Sequence, residues 1–372
     1  MRQAIRLLAL AGALVLATAS PSMAERRGPW VSAWSTAVVA AEPDKPPPFP
    51  QEPFVLRQVV RLTAGGPRVR LRLSNAFGTA PLRIDAAHVA LSVAPASAAI
   101  VAGTDRKVTF EGRDSVVIPA GAVYLSDPVA LPTKALDRLA ISLKLPAPPS
   151  LSTQHRASRT TSYLAAGANP DAADLPGATK TVQWLQLAGV EVENAKVSAV
   201  AAFGDSITDG AGTSVDADER WPDVLAQRLQ ADPKTRSLSV INAGISGNRL
   251  LTDGNSPSGL ARFDRDVLVH PGVTTLIVLL GVNDIGNLSR EGPVTPEKRQ
   301  AVVQDLTAGY RQLIERAHGL GVKVIGATIL PFGGTKVYRS DADADADRQA
   351  VNQWIRTSGA FDAVIDFDAV TR

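Results

Sequence analysis

The sequence predicts an α/β protein in two parts: a three-layer α/β/α sandwich on a five-stranded parallel sheet at 195–372, preceded by an all-β sandwich or jelly-roll-like module at 25–194. Three observations predict it. A chain of 372 residues exceeds one ordinary core and fits about two domains. Up to Glu193 the chain is written in short apolar–polar alternations separated by Gly, Pro and Asp, with few helical stretches, as antiparallel sheets require. From about Ala195 nearly continuous apolar runs alternate with segments of helical period, the pattern of a sheet covered on both faces. Apolar residues at 45% and charged residues at 20% exclude a disordered or fibrous chain.

In chain order, residues 1–24 read as a secretory signal peptide. Arg2 and Arg6 supply a positive start, "LLALAGALVLATA" an apolar centre and Ser22-Met23-Ala24 a small-x-small cleavage site, so cleavage is expected after Ala24 and the protein is expected to be secreted or periplasmic. The apolar centre is too short to span a bilayer well and no later run reaches ~20 apolar residues, so no transmembrane segment is expected in the mature chain. "PDKPPPFPQEP", Pro43 to Pro53, is too rich in proline for regular structure and should run extended over the surface. "FVLRQVVRLTAGGPRVRLRLS" alternates on both sides of Gly65-Gly66-Pro67, which predicts two half-buried antiparallel strands joined by a turn. Further short strands are "HVALSV", "KVTFEG", "DSVVIPAG", "DRLAISLKLP" and "TVQWLQLAGVEV".

The second part reads as strands "VSAVAAFG", "SLSVINAG", "VTTLIVLLG", "VKVIGATIL" and "FDAVIDF". Between them lie a helix at "RWPDVLAQRLQ", a helical turn or two around "LARFDRDVLV", and a long helix at "PEKRQAVVQDLTAGYRQLIERAHGLG". On the long helix Val302, Val303, Leu306, Tyr310, Leu313, Ile314 and Ala317 share one face. A fourth helix fits "DRQAVNQWIRTSG", with Val351, Trp354 and Ile355 inward. Alternating strands and helices imply a parallel sheet, whose ligands gather at the carboxyl ends of its strands.

Lys and Arg number 39 against 36 Asp and Glu, and two of those arginines belong to the signal segment, so no basic face exists to bind nucleic acid. The chain has no cysteine, which excludes disulfides and thiol chemistry and leaves stability to packing. The run "DADADAD", Asp341 to Asp347, lacks the glycine and terminal glutamate of a calcium loop and reads as negative charge at a helix amino terminus. Without a His-Glu-x-x-His cluster or a Gly-x-x-x-x-Gly-Lys loop, neither a metal nor a cofactor is expected.

Three of the five strands end in polar, glycine-containing turns: Gly204-Asp205-Ser206, then Asn242-Ala243-Gly244-Ile245-Ser246-Gly247-Asn248, then Gly281-Val282-Asn283-Asp284. In a parallel sheet all three face one edge. A serine hydroxyl, a backbone amide next to a glycine and an asparagine side chain are the parts of an acyl-transfer site. Ser206 would attack an ester carbonyl, while its own N–H, the Gly247 N–H and the Asn283 amide would bind the developing oxyanion. Any one of these turns alone reads as ordinary loop or cap chemistry; their placement after successive strands argues for a site.

The same blocks, "FGDSITDG", "NAGISGN" and "GVND", resemble the GDSL or SGNH hydrolases, a family of serine esterases and lipases, over about Val197 to Arg372. The resemblance implies a flavodoxin-like domain with Ser206 as nucleophile, and Gly247 and Asn283 as oxyanion donors. Thr208 stands where the Gly-x-Ser-x-Gly elbow of ordinary α/β-hydrolases has its second glycine, so that motif fails. The upstream region resembles the β-module that precedes this domain in some secreted bacterial relatives. An ester substrate is implied, whether acylated carbohydrate, lipid or a small ester.

The family's fourth block, an Asp-x-x-His whose histidine takes the serine proton, is absent from the sequence up to Arg372. Two explanations stand, a truncated chain or a protein that has lost its base, and truncation is favoured because the fifth strand is intact. Loss of the base costs a serine hydrolase roughly 10⁴- to 10⁶-fold in rate. Of the other histidines, His270 and His318 precede strands on the opposite edge, and His88 and His155 belong to the upstream module. Surface or capping roles are expected for them, with His155 the one a module loop could bring over the site. Asp366 and Asp368 end the fifth strand and are expected to cap a loop. Acyl transfer to another acceptor and non-catalytic binding of a glycan or other envelope ligand are the competing readings.

Overall fold

The computed structural model describes residues 29–290, 292–338 and 341–371, so the signal segment expected at 1–24 lies outside the described residues. Two large antiparallel sheets form the body of the amino-terminal module, with a three-stranded sheet (Trp184–Leu185, Thr153–His155, Val39–Ala40) and a two-stranded one (Leu82–Ile84, Val116–Ile118) beside them. One runs Trp30–Ser35, Leu187–Glu193, Arg68–Ser74 and Val129–Ala130, with Val123–Leu125 also paired to Arg68–Ser74. The other runs Thr179–Thr181, Ser162–Ala166, Phe54–Arg61, Arg138–Leu145, Ala86–Leu91 and Arg106–Val108. Alternate residues point inward, and Leu71, Leu73, Val190 and Val192 from the first sheet share one core with Leu56, Val60, Val89 and Ile141 from the second. This is the sandwich the alternation predicts.

The hairpin expected around Gly65-Gly66-Pro67 does not form. Phe54–Arg61 belongs to the second sheet and Arg68–Ser74 to the first, so the segment crosses between sheets. The glycines serve close approach instead: a Cβ on Gly65 would lie 2.3 Å from the Thr133 carbonyl oxygen, and one on Gly66 2.5 Å from that of Glu193. Alternation fixed which faces are buried but not which strand each face meets. The strand expected at "TVQWLQLAGVEV" is likewise broken, with Gln186 at a φ of 55° between Trp184–Leu185 and Leu187–Glu193.

In the carboxy-terminal domain, β1 (Ser198–Gly204), β2 (Leu238–Gly244), β3 (Val273–Leu279), β4 (Lys323–Ala327) and β5 (Ala363–Ile365) form one sheet in the order β2-β1-β3-β4-β5, every pair parallel. The helices are α1 (Ser206–Asp209), α2 (Trp221–Ala231), α3 (Gly259–Phe263), α4 (Val282–Gly286), α5 (Pro296–His318), α6 (Ala342–Thr357) and α7 (Phe367–Thr371). Ala201, Phe203, Leu276 and Val278 pack on one side against α3, α5 and α6 through Phe263, Leu306, Leu313, Val351 and Ile355. On the other side Val200, Ile277 and Leu279 meet Trp221 and Leu225 of α2. The inward faces expected on the long helix and at Val351 and Ile355 are thus observed, with Val302, Val303 and Trp354 half-buried at the margin.

The acidic run behaves as a helix start: Asp341 caps α6 by accepting from the Ala344 N–H at 2.8 Å, and Asp343 and Asp345 fall in its first turn. After α3 the chain widens into a π-helical turn at Asp264–Leu268. Because β2 is the outer strand, its free edge meets the module, where the Thr63 hydroxyl accepts from the Val240 N–H at 3.0 Å and the Ser239 hydroxyl donates to the Ser32 carbonyl at 2.8 Å.

Candidate active site

Gly204, Gly244 and Leu279 stand level in the sheet, so the three polar turns leave the same edge side by side. At the first, Asp205 caps α1 by accepting from the Ile207 N–H at 3.0 Å, which makes Ser206 the first residue of the helix, half-buried, while Ile207 is exposed. Thr208 accepts from the indole N–H of Trp221 at 3.3 Å, so it too holds this turn in place. A Cβ on Gly244 would lie 2.3 Å from the Asp209 nitrogen, and it is this glycine that lets α1 rest on β2.

The second turn is tied to the first by Ile245 N–H donating to the Gly204 carbonyl at 3.1 Å and is closed by Asn248 N–H donating to the Ile245 carbonyl at 3.1 Å. Gly247 sits inside it at a φ of 78°, and the nearest atom to a Cβ there would be 3.9 Å away. Glycine suits this position for its left-handed conformation. Among the described residues neither the Ser206 N–H nor the Gly247 N–H has an acceptor.

At the third turn Asn283, almost fully buried, donates one amide hydrogen to the Asn248 carbonyl at 2.9 Å and accepts from the Tyr338 hydroxyl at 2.5 Å. These two bonds fix which end of the amide is nitrogen and, among the described residues, leave its second hydrogen without an acceptor. The neighbouring Asp284 accepts from the N–H groups of Leu250 at 2.8 Å and Leu251 at 3.0 Å, pinning the chain just beyond the second turn. Burial pushes Asp284 up to about 6 and Asp205 up to about 7, against the hydrogen bonds that favour their ionised forms. Burial, followed by the nearby Asp205 and Asp284 carboxylates, pushes Tyr338 up to about 12, so its hydroxyl keeps its proton.

Beneath the turns lies a residue that sequence reasoning missed. Arg262 of α3, fully buried, donates to the carbonyls of Gly204 at 2.9 Å and Ala243 at 2.8 Å, to Asn248 Oδ1 at 3.0 Å and to Asp266 Oδ2 at 3.1 Å. One guanidinium thus ties together the ends of β1 and β2 and the second turn, while its face lies 4.3 Å from the Phe203 ring centre. Burial lowers it to about 10, still charged at neutral pH. The i,i+4 spacing of Arg262 and Asp266 was a legible ion-pair signal. Tyr338, on a loop between β4 and α6, carried none.

Two of the four histidines differ from the surface and capping roles expected of them, while His318 stays exposed at the end of α5. His155 and His270 are buried where module and domain meet. His270 hydrogen-bonds the Ser32 hydroxyl at 3.2 Å and is held neutral by burial, down to about 3. His155 bonds the Ala37 carbonyl through Nδ1 and Asp209 Oδ1 through Nε2, both at 2.8 Å. His88 pairs with Asp105 and His318 with Asp362. None of the four hydrogen-bonds the Ser206 hydroxyl. Asp366 caps as expected, accepting from the Ala369 N–H at 3.1 Å and the Thr328 hydroxyl at 3.0 Å, and pairs with Arg356, whereas the buried Asp368 carboxylate pairs with Arg348 and Arg356 and it is the Asp368 N–H that donates to the Thr328 hydroxyl. Among the described residues no group of three or more His, Cys, Asp or Glu could hold a metal ion, and no helix is long and apolar enough to cross a membrane. A cleft of 820 Å³ beside α5 is lined by Arg249, Leu251, Leu260, Asp284 and Val302 but by none of Ser206, Gly247 or Asn283, so it is not the space in front of the serine.

A parallel three-layer sheet that presents a helix-capped serine, a left-handed glycine turn and a fixed asparagine amide at one edge is the architecture of an SGNH-type ester hydrolase. Residues 202–372 match the model of the GDSL-like lipase/acylhydrolase family. Solved structures similar to the chain include an acetyl xylan esterase, AlAXEase, at 21% identity over 46% of this chain and 79% of that one, with a TM-score of 0.34. The SGNH-hydrolase family esterase AlinE4 is 19% identical over 45% of this chain and 75% of its own, with a TM-score of 0.31. A gut microbial diltiazem-metabolizing enzyme is 20% identical over 47% of this chain and 38% of that one, with a TM-score of 0.37. No curated protein matches the chain.

Proposed function

We propose that this protein is an exported serine esterase that hydrolyses carboxylic esters through an acyl-Ser206 intermediate. The observation that carries the reading is the pair of unpartnered backbone donors, Ser206 N–H and Gly247 N–H, on adjoining turns with the second amide hydrogen of Asn283. In this scheme the Ser206 Oγ bonds to the ester carbonyl carbon, and the carbonyl π pair moves onto oxygen, where the three donors receive it. Collapse expels the alcohol and leaves the acyl-serine; water then repeats the addition and frees the acid. The serine proton must pass to a base and on to the leaving alkoxide. His155 does not suit that task, because both its nitrogens are engaged, and the resemblance assigns it to a histidine of an Asp-x-x-His block.

Acylated carbohydrate, lipid and small esters all fit the scheme, and a module ahead of the domain suits a polymeric substrate outside the cell. The test is hydrolysis of p-nitrophenyl acetate, and of longer acyl esters, by this chain, by a version extended through any downstream coding sequence, and by Ser206→Ala in the more active of the two. Activity abolished by Ser206→Ala is the expected result. If neither form exceeds its alanine control, the esterase reading gives way to binding of a glycan or envelope ligand.

A further inference from the structure

The hydrogen bond between His155 and Asp209 joins the two parts of the protein at the candidate site. Asp209 is the last residue of α1, three positions after Ser206, and both residues of the pair are buried. Its two carboxylate oxygens do different work. Oδ1 meets His155 Nε2 at 2.8 Å, and Oδ2 accepts from the Ser246 N–H at 2.8 Å and the Ser246 hydroxyl at 2.6 Å. Ser246 directly precedes Gly247. One carboxylate therefore spans the serine helix and the glycine turn, and its rotation is stopped from the side of the module.

The ring of His155 is fixed in turn. Nδ1 faces the Ala37 carbonyl and Nε2 faces a carboxylate, and both are acceptors. With both ring nitrogens engaged, the imidazole cannot turn without breaking one of the two bonds. Trp184 lies 5.6 Å away, centre to centre, and is covered on its own face by the Arg220 guanidinium at 5.0 Å. Arg220, whose Nε and Nη2 have no partner among the described residues, and Asp223 beyond it at 3.8 Å are the next charges. Burial alone would raise Asp209, but the charge and hydrogen bond of His155, with Ser246 and Arg220, hold it below the usual carboxylate range.

A docking role alone does not account for this arrangement. The two parts are already joined through Thr63 with Val240, Ser239 with Ser32, and Ser32 N–H with the Pro271 carbonyl at 2.9 Å. The second oxygen of Asp209 is spent within the domain, on the turn. We propose that His155 is a positioning residue of the active site: by clamping Asp209 it holds the Ser246–Gly247 turn so that the Gly247 N–H faces the oxyanion, which makes the β-module a working part of the catalytic apparatus. This rests on the esterase reading given above.

The experiment compares full-length wild type with His155→Gln, Asp209→Asn and, as a docking control, Thr63→Val. Two quantities are read: amide hydrogen exchange at Ser246, Gly247 and Asn248 against Ser32 and Val240, and kcat and KM for an acetyl ester. His155→Gln and Asp209→Asn are expected to speed exchange in the turn at least tenfold with Ser32 and Val240 unchanged, and to lower kcat about 10- to 100-fold with KM nearly constant, the size expected of a misaligned oxyanion donor. Thr63→Val should show the reverse pattern of exchange. Should His155→Gln fold poorly, His155→Gly with added imidazole gives the same comparison, recovery of kcat being the supporting result. Exchange that rises equally at Val240 and in the turn, or not at all in the turn, overturns the proposal, as does a loosened turn with unchanged kcat. Activity that survives Ser206→Ala sinks the esterase reading instead, and the exchange data still judge the clamp.

Discussion

Replacing Asp205 by asparagine should make the protein more stable, and more so as pH rises. The carboxyl is fully buried, and burial is the chief cause that moves it from 3.8 to about 7, followed in opposing directions by the Ile207 N–H, Asp284 and Arg262. Between those values the folded protein holds a proton that the unfolded chain has released, so stability falls by about 1.4 kcal/mol per pH unit across the window. The contribution of the protonated carboxyl is thus complete below about pH 4 and lost as pH passes about 7. Asparagine offers the same oxygen to the Ile207 N–H and has nothing to ionise. The variant should gain about 1 kcal/mol at pH 4.5 and about 4 kcal/mol at pH 8, the latter an upper figure because Asp205 and Asp284 titrate as a pair. Calorimetric melting of both proteins at the two pH values measures the difference. An advantage at pH 8 no larger than at pH 4.5 would show that the carboxyl is not held protonated, and the account of the serine turn would fail with it.

Arg262→Met removes the guanidinium that binds Gly204, Ala243, Asn248 and Asp266; since Arg265 still pairs with Asp266 at 2.6 Å, the loss should sit near the low end for a broken buried pair, about 3 kcal/mol, read as a fall in melting temperature. Tyr338→Phe deletes only the hydroxyl on Asn283 Oδ1 and should lower kcat about 5- to 10-fold, with melting unchanged, as the Asn283 amide loses its fixed orientation; equal kcat values would separate Tyr338 from the oxyanion donor. Thr63→Val leaves the buried Val240 N–H without a partner and should cost about 1–3 kcal/mol in thermal unfolding, with steady-state ester hydrolysis little changed.

What could be read from the sequence followed from local rules. The five parallel strands announced themselves because a sheet covered on both faces writes continuous apolar runs, and Ser206, Gly247 and Asn283 lay at their ends because turns need Gly, Asp and Asn. The module's sandwich was legible for the same reason, but the path from Phe54–Arg61 to Arg68–Ser74 was not, since alternation says which side of a strand is buried and nothing about its neighbour. Asp209 was visible inside "GDSITDG" without a role, because its partner His155 stands 54 residues earlier in another fold unit. Arg262 looked like one charge in a short amphipathic turn. Both owe their function to burial, which composition and spacing do not encode for a single polar side chain.

The junction of module and domain explains a further irregularity of the sequence. An outer strand such as β2 presents unpaired N–H and C=O groups that invite pairing with another chain. The neighbouring module strand, Trp30–Ser35, could have extended the sheet, but it is paired with Leu187–Glu193 and meets β2 through side chains. Thr63 answers the Val240 backbone, and the buried Ser239 donates to the Ser32 carbonyl, while His270, kept neutral, receives or returns the Ser32 hydroxyl bond. This is why a serine sits inside the apolar run "SLSVINAG": it is a ladder partner for another fold unit, not a flaw in a strand. Side-chain closure covers the edge without fusing the sheets, so each keeps its own twist and register. It also fixes β2 along the segment that leads directly into Gly244, Ile245 and the Gly247 turn. The module thus meets the domain at two separate places, holding the outer strand at Ser239 and Val240 and reaching the Ser246–Gly247 turn through Asp209.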